Sequence, residues 1–172
     1  MTFCEAFVVR FFPLLLSKDL LTMIDVNVPR ASARKNPHTG QLRSRRILVV
    51  EDSLDSQGLI MFLLEQEGAS VEVAENGRVA VDRVAETVTS GLGEEFDGIV
   101  MDLHMPVMDG YEATAELRRR GFAGPIIALT AHVQDEVRER SLAAGCDDYL
   151  TKPVDRQLLV NTLCRRLDIA AA

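Results

Sequence analysis

The sequence lacks an apolar run long enough to cross a membrane. Its N-terminal stretch 3–16 is interrupted by Glu5, Arg10 and Pro13, whereas a membrane helix needs about 20 consecutive apolar residues. The stretch also lacks the basic start and the small-residue cleavage site of a secretory signal. We therefore predict no membrane span and a cytoplasmic location. Met23 offers an alternative start, which would leave residues 1–22 untranslated.

Cysteine is scarce, with only Cys4, Cys146 and Cys164 in the chain. No two of them stand at CxxC spacing, so neither a structural zinc site nor a redox dithiol is indicated. An odd, scattered set of cysteines favours reduced thiols in a cytosolic protein.

Basic residues are outnumbered by acidic residues in the part of the chain that is predicted to fold. The net charge is -7, but residues 1–46 hold eight basic and three acidic residues, against eleven and twenty-three in the remainder. An acidic domain argues against nucleic acid as a direct ligand. The basic, polar stretch before residue 46 is typical of a linker. We predict an N-terminal extension or linker over 1–45, disordered if translated, a domain over 46–168 and a tail over 169–172.

Short apolar runs alternate with helix-like segments throughout 46–168, which is typical of parallel strands buried on both faces and joined by helices. Ser53, Asn76 and the pair Asp109 with Glu112 are suited to cap helix starts. Such βα units predict a doubly wound sheet with right-handed crossovers. The predicted strands are 46–50, 70–74, 97–101, 125–129 and 148–151, and the predicted helices are 54–67, 77–89, 110–120, 133–144 and 155–168.

Polar residues follow four of these strands: Glu51 and Asp52, then Asp102, Thr130 and Lys152. In an open parallel sheet, ligands bind in the crevice beyond the carboxyl ends of the strands. Crowded carboxylates repel one another unless a cation lies among them, and hard oxygen ligands at an open site favour Mg²⁺. A single pair would be read as solvated carboxylates, but acids at two adjacent strand ends with Thr and Lys at the next two predict a cation and phosphoryl site.

Asp102 is the natural nucleophile of that site, because a carboxylate can take a phosphoryl group to give an aspartyl phosphate. Such transfer depends mostly on positioning and on neutralising the phosphoryl oxygens. Lys152 can supply positive charge, and the Thr130 hydroxyl can donate a hydrogen bond to a phosphoryl oxygen.

The same residues stand within motifs that resemble a receiver domain of bacterial two-component response regulators, of the chemotaxis-regulator type. The second and third motifs are especially similar to receivers of hybrid sensor kinases. The resemblance covers 46–168 and implies a flavodoxin-like, five-stranded parallel sheet in the order 2-1-3-4-5 with five helices. The motifs are Ile47-Leu48-Val49-Val50-Glu51-Asp52, Met101-Asp102-Leu103-His104-Met105-Pro106-Val107-Met108-Asp109-Gly110, Leu129-Thr130-Ala131 and Tyr149-Leu150-Thr151-Lys152-Pro153.

The resemblance implies that Asp102 is the phosphoacceptor. It also implies an Mg²⁺ site formed by Asp52, Asp102 and the backbone carbonyl of His104, with Glu51 acting through water. Lys152 would pair with the phosphoryl group or with the acids, and the family usually has a cis bond at the position of Lys152-Pro153.

Thr130 and Tyr149 would form the switch pair, the hydroxyl moving toward phosphate as the ring turns inward. The side chains of His104 and His132 stand where the family tunes the lifetime of the aspartyl phosphate. They would either shield the phosphoryl group or order the attacking water, or else be exposed polar residues without such a role.

The function implied is that of a phosphoacceptor, with no turnover of an external substrate beyond its own phosphorylation and slow hydrolysis. The donor would be a sensor histidine kinase or a histidine phosphotransfer protein. A downstream protein would bind the surface of the fourth helix, fifth strand and fifth helix, and a homodimer is possible. Only the four residues 169–172 follow the last predicted helix, so we expect a single-domain regulator.

Three other functions compete with this one. An aspartyl-phosphate phosphatase needs a second acid two residues after the nucleophile, where this chain has His104. A dinucleotide-binding domain needs GxGxxG after the first strand, where Glu51 and Asp52 would instead repel a pyrophosphate. A receiver fold that serves only as an unphosphorylated docking module is disfavoured by the complete set of acids, Thr and Lys, but stays open.

Overall fold

The fold is built on one five-stranded parallel sheet in the strand order 2-1-3-4-5, as the resemblance implies. The computed structural model describes residues 40–90, 95–131 and 134–170. The predicted extension therefore lies outside the described residues as far as residue 39, with Cys4 and His38. The strands are β1 Arg46–Val50, β2 Ser70–Ala74, β3 Gly98–Asp102, β4 Ile126–Thr130 and β5 Asp148–Thr151.

A helix follows each strand, and the three predicted caps form at their helix starts, with the Asn76 side chain accepting from the Val79 N–H. The Ser53 side chain accepts from the Ser56 N–H, and Asp109 with Glu112 makes a reciprocal capping box. Among the described helices, none has the length and apolar character that a membrane crossing requires. The helices are α1 Leu54–Glu65, α2 Gly77–Ser90, α3 Gly110–Arg119, α4 Asp135–Ala144 and α5 Arg156–Ala170.

Alternate residues of the strands fill two hydrophobic layers, one on each face of the sheet. Leu48 and Val50 point into the layer beneath α2, α3 and α4. Ile47 and Val49 point into the layer beneath α1 and α5. Because successive side chains of a strand point to opposite faces, the continuous apolar runs of the sequence become a sheet buried on both sides. Because the strands run parallel, their carboxyl ends all lie at one edge of the sheet, called the rim below.

The segment 40–45 corrects the predicted domain boundary. Leu42 is fully buried in the layer beneath α1 and α5, and its N–H donates to the Glu67 carbonyl at 3.0 Å. The Gly40 N–H donates to the Glu67 carboxylate at 3.1 Å. A buried, hydrogen-bonded leucine belongs to a packed domain, so the boundary predicted at residue 45 lies too late. The prediction of a linker is wrong for residues 40–45 because Leu42, one apolar residue in a polar stretch, packs into the core.

Candidate functional site

Three carboxylates meet at the carboxyl ends of β1 and β3. These two strands are neighbours, with Val50 beside Met101 in the register, so the residues that follow them share one place on the rim. Glu51, Asp52 and Asp102 each offer an oxygen, and these oxygens all lie within 4.8 Å of one another. Glu51 and Asp102 are buried, whereas Asp52 is exposed. The structure thus brings the predicted acids together.

Lys152 bridges the two buried acids. Its Nζ lies 2.6 Å from Glu51 Oε2 and 2.7 Å from Asp102 Oδ2. The lysine reaches them because it follows β5, and its backbone N–H donates to the Thr130 carbonyl of β4 at 2.7 Å. The Lys152–Pro153 peptide bond is cis, as the resemblance implies. In the described structure the ammonium is therefore already paired with the acids.

Burial and charge act on these groups in opposite directions. Burial alone would lower the pKa of the Lys152 ammonium, but its hydrogen bonds to Asp102 and Glu51 outweigh burial, so this pKa is raised. Burial raises the pKa of Glu51, and the hydrogen bond from Lys152 only partly offsets it. The folded state therefore favours a charged lysine but disfavours an ionised Glu51 when no other cation is near.

The predicted switch residues lie on the two adjacent strands. Thr130 is the last residue of β4 and is fully buried. It follows Leu129, which pairs with Asp102 in the register, so Thr130 lies just beyond the acid on the neighbouring strand. Tyr149 of β5 is half-buried and packs against the layer beneath α2, α3 and α4. Their roles in switching stay predictions.

His104, two residues after Asp102, lies at the rim of the sheet. The His104 N–H donates to Asp102 Oδ1 at 3.1 Å, and its side chain is exposed. The imidazole stands at right angles to the Tyr111 ring, with centroids 6.3 Å apart. The Arg140 guanidinium of α4 lies 4.0 Å from the centroid of that same tyrosine ring. His132, the other predicted rim histidine, lies outside the described residues.

The donor set fits a divalent cation. The cluster holds three carboxylates and one ammonium, which pairs with Glu51 and Asp102, so its formal charge is minus two. Mg²⁺ prefers oxygen ligands at about 2.0–2.1 Å and retains several waters. Oxygens spread over 4.8 Å can therefore share one ion when some of them bind through water. Asp52, Asp102, the His104 carbonyl and Glu51 could hold it.

Helix α1 carries an exposed apolar face that sequence reasoning missed. Leu54 is 81% exposed, Leu59 is 51% exposed and Phe62 is 56% exposed. The helix begins directly after Asp52 and its cap Ser53, so this face starts at the rim. A signal was present, because the run Leu59-Ile60-Met61-Phe62-Leu63-Leu64 supplies more apolar residues than one buried stripe of a helix requires.

The chain is similar to receiver segments of much larger proteins. It is 34% identical over 151 residues to the sensor histidine kinase GacS of Pseudomonas protegens, which covers 85% of this chain and 16% of the kinase. The first curated relatives are histidine kinases, and the chain spans between 8% and 16% of their length.

Solved structures agree with this likeness. The receiver domain of a sensor histidine kinase from Pseudomonas aeruginosa, crystallised with magnesium in its active site cleft, is 38% identical with a TM-score of 0.64. The match covers 72% of this chain and 98% of that one. A chain in the co-crystal of the Saccharomyces cerevisiae phosphotransfer protein Ypd1 with the Ssk1 receiver domain is 29% identical with a TM-score of 0.66. That match covers 76% of this chain and 94% of the other.

The family assignment rests on the match of nearly the whole folded part. The family described as "Response regulator receiver domain" matches residues 47–164, a span that includes the acids, Thr130, Tyr149 and Lys152. The fold and the strand order agree with those of chemotaxis-type receiver structures. The chain belongs to the response regulator receiver domain family, the phosphoacceptor domains of two-component phosphorelays.

Proposed function

We propose that Asp102 accepts a phosphoryl group from a phosphohistidine, in a reaction that requires Mg²⁺. The observation that carries this proposal is the position of the Asp102 carboxylate. It is buried, lies within the acid cluster and is 2.7 Å from the Lys152 ammonium. A nucleophile, a cation site and a fixed positive charge are thereby close enough to act on one phosphoryl group.

The reaction is an exchange of one bond to phosphorus for another. An Asp102 oxygen attacks the phosphorus atom, the bond between phosphorus and the donor's imidazole nitrogen breaks, and the electron pair returns to that nitrogen. Bound Mg²⁺ would supply positive charge to the phosphoryl oxygens, held by Asp52, Asp102, the His104 carbonyl and, through water, Glu51. The chain would turn over no external substrate and would slowly hydrolyse its own aspartyl phosphate.

The change in surface would begin at Lys152 and Thr130. Lys152 now pairs with Asp102, so phosphorylation redirects its ammonium to a phosphoryl oxygen while the bond to Glu51 can persist. The Thr130 hydroxyl, buried beyond Asp102 on β4, donates to another phosphoryl oxygen. Tyr149 then moves inward on β5. The surface of α4, β5 and α5 changes with it, which is where we place a downstream partner or a second copy of the chain.

The donor would dock on the exposed apolar face of α1. Leu54, Leu59 and Phe62 offer apolar surface beside the rim, and helices are the elements that pack against such a face through apolar ridges. A donor histidine carried on a helical partner, a kinase or a phosphotransfer protein, would thereby reach Asp102. A cytoplasmic location forms part of the proposal and agrees with the free thiols of Cys146 and Cys164.

Phosphorylation by acetyl phosphate tests the acceptor directly. With Mg²⁺ present, the wild-type chain should gain the mass of one phosphoryl group, and Asp102→Asn should gain none. Asp55→Asn, which alters an exposed carboxylate in the first turn of α1, serves as the matched control and should label like the wild type. Equal labelling of Asp102→Asn and wild type would refute the assignment. Labelling of none of the three would favour a docking module that works without phosphate.

A further inference from the structure

Helix α2 begins against the loop that follows Asp102. The Gly77 N–H donates to the Met108 carbonyl at 3.2 Å, and the preceding Asn76 side chain accepts from the Val79 N–H at 3.0 Å. The first N–H groups of a helix have no partner within the helix. Here one of them is used to hold the β3–α3 loop, residues 103–109.

No side chain fits at Gly77. An added Cβ would lie 2.7 Å from the Ala113 Cβ, 2.8 Å from the Met108 carbonyl oxygen and 2.9 Å from the Met108 Cγ. The Met108 oxygen belongs to the backbone, so the loop itself would have to move. Gly58 of α1 is the opposite case, because an added Cβ there meets nothing within 4 Å. Glycine at position 77 thus permits close approach of α2 to the loop.

The loop is held at its other end by the strands. The Leu103 N–H donates to the Leu129 carbonyl at 3.1 Å, and the Gly110 N–H donates to the Leu103 carbonyl at 3.1 Å. An added Cβ at Gly110 would lie 2.1 Å from the Asp102 carbonyl oxygen. Between these anchors Val107 has φ of 73°, a conformation that costs free energy for a β-branched residue. Such backbone persists only where the surroundings fix it.

We propose that Gly77 is a positioning residue for the cation site, holding the β3–α3 loop so that the His104 carbonyl keeps its place beside Asp102. This inference rests on the proposed function, which assigns that carbonyl to the cation. The chain of contacts is short: Gly77 holds Met108, and the loop from Met108 back to Leu103 contains His104. A displacement of the Met108 carbonyl therefore acts on the ligand through the three intervening residues, Met105, Pro106 and Val107, of which Val107 has the constrained backbone.

Gly77→Ala tests the role, with Gly58→Ala as the matched control. A titration of the isotope-labelled full chain with MgCl₂, followed through amide NMR signals, gives the Kd for Mg²⁺. We expect Gly77→Ala to bind Mg²⁺ about 10-fold more weakly, the low end for loss of support around a metal ligand. Gly58→Ala should bind like the wild type. An unchanged Kd in Gly77→Ala, even with a lowered Tm, would show a structural role alone and overturn the inference.

A measurement on the wild type decides the matter if Gly77→Ala does not fold. Because coupling between two sites is reciprocal, Mg²⁺ should slow hydrogen exchange of the Gly77 amide, which bonds to the loop. An exchange rate unaffected by saturating Mg²⁺ would overturn the inference while leaving the cation site in place. A wild-type chain without any response to Mg²⁺ would overturn the cation site of the proposed function and this inference with it.

Discussion

Lys152→Met should reveal how the resting site is held together. The ammonium of Lys152 lies between two buried carboxylates, at 2.6 Å from Glu51 and 2.7 Å from Asp102. Methionine keeps most of the apolar stem of the side chain but removes the charge. Glu51 and Asp102 would then face each other without a cation, in a place where water cannot fully solvate them.

The size of the effect follows from burial. Removing one partner of a buried ion pair costs about 3–5 kcal/mol, because the remaining charge stays buried and unpaired. The Lys152 side chain is 25% exposed, so solvent screens part of this, and we expect a loss of about 2–3 kcal/mol in the free energy of unfolding. At a few degrees per kcal/mol for a domain of this size, Tm should fall by roughly 6–12 °C.

Thermal unfolding followed by circular dichroism in Mg²⁺-free buffer at pH 7 measures this loss. Lys152→Arg keeps the charge and is the matched control, with a smaller decrease expected. MgCl₂ should restore more stability to Lys152→Met than to the wild type, because a ligand that binds only the folded state stabilises it. A Lys152→Met variant as stable as the wild type without Mg²⁺ would refute the view that the ammonium neutralises the resting cluster.

Two further changes probe the charge and the docking face. Because burial raises the pKa of Glu51 above 4.5, the folded state binds its proton more tightly than the unfolded chain. The stability that this tighter proton binding contributes is present below pH 4.5. It is lost as the pH rises through the raised pKa of Glu51. Glu51→Gln should therefore raise Tm at pH 7 without Mg²⁺ and leave it unchanged well below pH 4.5; a lower Tm at pH 7 would contradict this reasoning. Phe62→Ala should slow phosphotransfer from a phosphohistidine donor but not from acetyl phosphate, whereas Leu158→Ala, with a similar exposure of 52%, should change neither. Equal slowing by both variants would argue against α1 as the docking face.

The sheet and its rim could be predicted because they depend on regular features of the sequence. Short apolar runs such as Ile47–Val50 and Ile126–Leu129 are typical of buried strands when helices separate them, and the polar residue after each run marks the rim. Parallel strands then place Glu51, Asp102 and Lys152 on one edge without further information. The carboxylate oxygens lie within 4.8 Å of one another because β1 and β3 are adjacent strands.

Other features depend on contacts that no local pattern contains. Leu42 is one apolar residue in a polar stretch, and its burial depends on the hydrophobic layer to which α1, α5 and the sheet contribute. The exposed apolar face of α1 could not be predicted because apolar residues occur on more than one side of this helix. The helical periodicity of apolar residues does not tell which of them are buried. Gly77 looks in sequence like an ordinary helix start, and its close approach to Met108 appears only when two loops from different strands are placed together.

The resting site is unbalanced in charge, and this imbalance is what the proposed switch would use. Within the described residues, Lys152 pairs with two of the three carboxylates, Glu51 and Asp102, and burial raises the pKa of Glu51 despite this pairing. Under the proposed function, Mg²⁺ would relieve this excess, and phosphorylation of Asp102 would then add negative charge beside both the cation site and Lys152. The ammonium would then exchange the Asp102 carboxylate for a phosphoryl oxygen, while its ion pair with Glu51 would hold it in place. Forming this second ion pair would offset the cost of breaking the first, so a small difference in free energy could separate the two states of the proposed switch.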